Sequence, residues 1–98
     1  VKMSEALIAA EAGFEQMFRD RPRAELKARI ALGVTWRDLG EYQSSERHFR
    51  KAVELQTQLE GPDARGTFNT ALLLAGTLSL AGKKPEARRY VLRSLENA

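Results

Sequence analysis

The sequence predicts an all-α fold of antiparallel helix–turn–helix units, with five helices, and three observations carry that prediction. Leucine, alanine, glutamate and arginine dominate while β-branched residues are sparse, a mix whose intrinsic preference is helical. Apolar residues recur at three- and four-residue steps between breaks marked by glycine and proline, and no alternating strand pattern occurs. The third observation is a period. A shift of 42 positions lays the chain on itself without a gap, placing Leu32 on Leu74, Gly33 on Ala75, Trp36 on Leu78, Gly40 on Gly82, Phe49 on Val91 and Val53 on Leu95.

Met3, Leu7, Ala10, Phe14 and Met17 trace one face of a first helix. Arg19-Asp20-Arg21-Pro22 interrupts it, and a second helix runs from about Pro22, comfortable in a first turn where its missing N–H is no loss, to Leu39. Gly40 stops that helix by taking the left-handed conformation of a C-terminal cap. The third helix follows Glu41-Tyr42 and carries Ser45, Phe49, Ala52, Val53 and Leu59 on its apolar side up to Gly61-Pro62-Asp63. A fourth spans Ala64 to Ala81 and is apolar nearly all round. Phe68, Ala71, Leu72, Leu74, Ala75 and Leu78 lie on one broad side, with Leu73 and Leu80 on another. Gly82 ends it, Lys83-Lys84 make the turn, and Pro85 opens a fifth helix whose expected buried face is Ala87, Val91, Leu92 and Leu95.

The period divides the chain into residues 1–18, the second helix of a partial unit, and two full units at 19–60 and 61–98, together one domain. About two and a half units fall short of the three or so that such arrays usually need, so the chain is expected to be a piece of something longer, as its start at Val1 also suggests. With 43% apolar and 30% charged residues, it has the composition of a folded domain. The absence of cysteine excludes disulfides and thiolate chemistry, and no apolar run is longer than Ala71–Ala75, far below the roughly 18 residues of a membrane span. The formal charge of +3 lies mainly toward the C-terminal end.

Leu32-Gly33-x-x-Trp36, then Gly40-x-Tyr42, Ser45, Phe49 and Ala52, resembles a tetratricopeptide repeat: a Leu-Gly pair, an aromatic residue, a turn glycine, then a small, an aromatic and a small residue on the second helix. The second unit answers with Leu74, Ala75, Leu78, Gly82, Ala87, Val91 and Ser94, and has Lys84 in place of Tyr42. The 42-residue period is similar to that of the long-helix variant of kinesin light chains. What the resemblance implies is a superhelix in which small residues let paired helices approach while Trp36, Phe49, Leu74 and Leu78 fill the space between. It also implies a concave face made by the first helices of successive units. On this chain that face maps to Lys27, Ile30, Val34 and Arg37, then Asn69, Leu72, Leu73, Gly76 and Leu80. Where kinesin-light-chain repeats carry paired asparagines, this sequence has Ile30-Ala31 and Leu72-Leu73, so the implied groove is apolar.

No residue set points to catalysis or a cofactor. His48, the one histidine, follows Ser44 by a helical turn, but no carboxylate stands at a spacing that would orient it, and this polar side is expected to face solvent. Glu11 and Glu15 read as a solvated helix face, and one histidine without cysteine makes no metal site. Lys83, Lys84, Arg88, Arg89 and Arg93 fall on opposite sides of their helix and form no stripe, which argues against nucleic acid as the partner. The expected function is non-catalytic, cytoplasmic binding of a protein or peptide through the apolar face, with self-association into a homo-oligomer as a variant. The alternative is a regulatory module of a larger transcriptional regulator or signalling protein.

Overall fold

A computed structural model describes residues 3–96, which form α1 (Met3–Glu11), α2 (Phe14–Met17), α3 (Pro22–Asp38), α4 (Tyr42–Glu60), α5 (Arg65–Leu80) and α6 (Lys84–Glu96). No strand occurs among the described residues. Six helices stand where five were expected because the first is broken: Gly13 adopts φ 78°, a left-handed conformation that cannot continue the ladder begun in α1. The break also ends the common apolar face. Leu7 and Phe14 are half-buried and Met17 is exposed, while the side chains of Met3 and Ala10 lie outside the described residues.

The turns that define the repeat are built identically. Gly40 (φ 81°) donates its N–H to the Arg37 carbonyl at 2.9 Å, and Glu41 donates to Trp36 at 2.9 Å. Gly82 (φ 84°) donates to Ser79 at 3.1 Å, and Lys83 to Leu78 at 2.8 Å. This paired 5→2 and 6→1 closure is the Schellman motif, which satisfies two orphan carbonyls and reverses the chain. Between the units, Gly61 and Pro62 end α4, and the Thr67 hydroxyl reaches back 2.8 Å to the Gly61 carbonyl, fixing the start of α5.

From α3 onward each helix packs on the next in sequence, giving a flat slab of 43 × 33 × 13 Å. The main core joins Phe49 of α4 to Leu74, Ala75 and Leu78 of α5 and Ala87 of α6, with Ile30, Val34, Val53, Leu73, Tyr90 and Val91 packed around it. A second cluster unites Leu26, Ala52 and Leu55, edged by Ile30 and Leu59. α3 and α4 approach closely at Gly33, whose carbonyl accepts the Ser45 hydroxyl at 2.6 Å and whose Cα lies under the fully buried Phe49 ring. Burying such a ring contributes about 1.5–3 kcal/mol, and only a glycine leaves room for it here.

Two expected faces are corrected. On α6 only Ala87 is buried and Val91 half-buried, whereas Leu92 and Leu95 are each 53% exposed. Their side of α6 has no further helix against it among the described residues, so periodicity alone overstated burial. On α5 the expected positions of the adjacent leucines are reversed: Leu73 packs half-buried on the core, and Leu72 points outward at 40% exposure. The threonines Thr67, Thr70 and Thr77 are buried with Ala71, Leu74 and Leu78, and this turns the buried face away from Leu72.

Candidate functional site

The residues expected to line a concave face divide by depth. On α5, Asn69, Leu72, Gly76 and Leu80 form a continuous exposed stripe at helical spacing, with Leu80 56% exposed. Leu73 beside them is half-buried. On α3, Lys27 is exposed, Arg37 is half-buried, and Ile30 and Val34 are half-buried against the core that Leu74 and Leu78 help form. The outward surface of α5 therefore offers two leucines flanked by an amide and a small residue, which suits an apolar contact with polar edges.

A second feature lies where α1 and α2 meet α3 and α4, and sequence reasoning missed it. His48, expected in solvent, is 1% exposed, and Glu11, expected on a solvated face, has a side chain only 12% exposed. One Glu11 oxygen accepts the Trp36 indole N–H at 2.9 Å and meets His48 Nε2 at 2.6 Å, and its other oxygen accepts Arg47 Nη2 at 3.2 Å. Arg29 donates to His48 Nδ1 at 3.2 Å and to Glu25 at 3.2 Å, and its guanidinium lies 4.9 Å from the centre of the Phe14 ring. Glu15 stands 3.9 Å from Arg29. An open cleft of about 840 Å³ adjoins the cluster, bordered by Ile8, Phe14, Glu15, Arg19 and Ser44 among others.

These contacts fix the histidine's proton. Arg29 can only donate, so Nδ1 must accept and the remaining proton sits on Nε2, pointed at the Glu11 carboxylate. Burial pushes the His48 pKa down, Arg29 and Arg47 add to that, and the opposing pull of Glu11 is insufficient to restore it. Both ring nitrogens are engaged, so neither is available to activate Ser44 as a nucleophile. Because the folded pKa lies below that of the unfolded chain, the unfolded state takes the proton first. Stability is complete above about pH 6.5 and declines as pH falls through the folded value. With a single histidine in the chain, the melting temperature of wild type should fall as the pH drops below about 6.5, and His48→Gln should flatten that slope. A slope retained in the variant would place its origin elsewhere.

A surface network joins α4 to the last turn. Glu46 accepts from Arg50 at 2.9 Å and from Lys83 at 2.9 Å, and Arg50 also pairs with Glu86. Partial burial would raise the Glu46 carboxyl, but the hydrogen bonds from Lys83 and Arg50 outweigh it and hold the pKa below its ordinary value. Lys83, one of the basic residues tested above as a nucleic-acid patch, is thus engaged within the fold. Among the described residues no group of three or more His, Cys, Asp or Glu side chains is placed to hold a metal, and no helix is long and apolar enough to cross a membrane.

The sequence profile of the family described as "Tetratricopeptide repeat" matches residues 25–98. The chain belongs to the tetratricopeptide repeat family. No match was found among curated proteins or among solved structures. Tetratricopeptide repeats generally mediate protein–protein interactions and are typically non-catalytic scaffolds. Of the repeat positions, Trp36, Ser45, Phe49, Ala52, Leu74, Ala75, Leu78 and Ala87 are buried, and Leu32, Tyr42, Val91 and Ser94 half-buried. The match begins in α3, so Arg29, Trp36, Arg47 and His48 lie inside the tetratricopeptide region while Glu11 approaches from outside it. A signal for His48 was present in the sequence. It sits three residues after Ser45 and four before Ala52, on the buried face of α4, and no local signal linked it to Glu11.

Proposed function

We propose that this chain is a non-catalytic scaffold that holds a protein or peptide segment against the outward face of α3 and α5, with Lys27, Arg37 and Asn69 at its polar edges and Leu72, Gly76 and Leu80 at its apolar centre. The observation that carries this reading is the Asn69–Leu72–Gly76–Leu80 stripe, a largely apolar exposed line on a helix whose other large apolar side chains are buried or half-buried. An apolar stripe of this spacing fits an amphipathic helix better than an extended acidic peptide. Ile30, Val34 and Leu73 support the surface from below. We read the domain as two full units at 19–60 and 61–98 behind a partial one at 1–18, cytoplasmic, with the long-helix period of kinesin light chains.

Captured partners should dissociate from Leu72→Glu and Leu80→Glu variants with affinity reduced about tenfold or more, since 1.4 kcal/mol of lost contact suffices. Lys84→Glu, at the exposed start of α6 and outside the stripe, is the control that should retain binding. Equal retention in all three variants would refute the assignment of the face. Self-association is a second reading, favoured by the exposed Leu92 and Leu95 on α6; sedimentation of wild type beside Leu92→Glu measures it. A regulatory module of a larger transcriptional regulator or signalling protein would use the same α5 face with its partner segment in the same polypeptide.

A further inference from the structure

We propose that Trp36, His48, Arg47 and Arg29 form a carboxylate-receiving site, that α1 fills it in cis through Glu11, and that a glutamate-bearing helix of a partner protein displaces α1 from it. This site is separate from the α3 and α5 face and does not depend on it.

The donors are built into the repeat. Trp36 is 2% exposed and His48 1%, and both direct an N–H onto one oxygen of the same carboxylate, at 2.9 and 2.6 Å. An indole N–H can only donate, and the His48 tautomer is set by Arg29 on its far side, so neither group can turn to another role. Buried donors of this kind require an acceptor, because leaving them unpaired costs their full desolvation. Arg47 closes on the second oxygen at 3.2 Å, and Arg29 adds positive charge behind the ring. All four lie on α3 and α4, within the tetratricopeptide match, whereas the acceptor comes from a helix before it.

The segment that supplies the acceptor is otherwise lightly held. Among the described side chains of α1 and α2 none is fully buried, and Ile8 and Met17 face outward. Gly13 leaves the two short helices jointed at a left-handed residue. Beside the carboxylate the cleft of about 840 Å³ stays open between α1, α2 and α4, with Arg19, Arg29 and Arg47 on its walls. Glu11 therefore holds the donors from a lightly packed segment, and a helix bearing a glutamate on a larger apolar face would compete with it for them. Glu15 also stands on the cleft wall and Arg29 is paired with Glu25, so the charge that favours an acidic segment over a neutral one is that of Arg47 beside the two N–H donors.

Trp36 is the sole tryptophan, and its indole N–H touches the carboxylate, so its signals report occupancy directly. The full chain carrying Glu11→Ala is titrated with a synthetic peptide spanning residues 3–18, with the same peptide carrying glutamine in place of its buried glutamate, and with sodium acetate against sodium chloride. The native peptide should shift Trp36 emission saturably and bind the variant about tenfold or more tightly than wild type, where Glu11 competes in cis. Acetate should shift it weakly and chloride not at all. In wild type, the backbone amide resonances of α1 followed by NMR should move with the native peptide as the cis segment is released, a measurement that stands if Glu11→Ala fails to fold. Leu72→Glu should bind the peptide like wild type, which separates this site from the α5 face. Equal response to the glutamine peptide, or no movement of the α1 resonances in wild type, overturns the proposal.

Discussion

Trp36→Ala should lower stability by about 3–5 kcal/mol, the loss expected when a large buried aromatic is truncated. A domain of this size commands about 5–15 kcal/mol in total, so the variant should melt at least about 12 °C lower or lose its helical signal at 37 °C. The indole is 2% exposed at the end of α3, where its own carbonyl accepts the Glu41 N–H that closes the turn. It also donates to Glu11. Trp36→Phe separates the two contributions: it keeps most of the packing and removes the N–H, leaving Glu11 with His48 and Arg47. Its cost should be about 1–2 kcal/mol, within the range for a hydrogen bond to a charged group plus minor repacking. A melting temperature unchanged by Trp36→Ala, followed by circular dichroism, would show that the ring packs nothing.

Gly33→Ala should be the second severe substitution, against the rule that alanine improves a helix. Alanine gains about 1 kcal/mol of helical propensity over glycine. At Gly33 its Cβ would stand 2.5 to 2.8 Å from three atoms of the Phe49 ring. The ring is fully buried, and the Ser45 hydroxyl bonded to the Gly33 carbonyl resists separation of α3 from α4. Overpacking of this order costs about 1–3 kcal/mol and occasionally more, so the net effect is destabilising. Gly76→Ala provides the opposite sign, since its Cβ would meet nothing within 4 Å and only the propensity gain remains. Chemical denaturation of the two variants checks both at once. The argument fails if Gly33→Ala is as stable as Gly76→Ala, and Gly33→Ala with Phe49→Leu should recover part of the loss.

What the sequence made legible follows from how local each signal is. The turns at Gly40 and Gly82 were readable because a left-handed cap needs a glycine at one position and the period repeats it. The tight approach at Gly33 and its filling by Phe49 were readable from the small-large pattern. The break at Gly13 was not, because α1 and α2 are each too short to show a period of their own. The phase of α5 was misjudged because buried threonines, satisfied by carbonyls one turn back as at Thr77, count as polar in any pattern of leucines. Leu92 and Leu95 carry the apolar period without a neighbour to cover them. The Glu11 cluster lay furthest out of reach. Its partners are separated by 25 and 37 residues, and a charged helix face looks the same whether it meets water or a buried indole.

The succession of α3, α4, α5 and α6, each packed on its neighbour in sequence, also governs how the chain should fold. Local contacts close short loops, so the helices need no slow search for distant partners and should assemble in microseconds to milliseconds. Folding can begin at the α3–α4 pair or at α4–α5 and spread outward one interface at a time. The ends of such a stack open without the middle. Amide hydrogens of α1 and α6 should therefore exchange with solvent well before those of α4, whose two flanking interfaces must both be lost before its backbone is released.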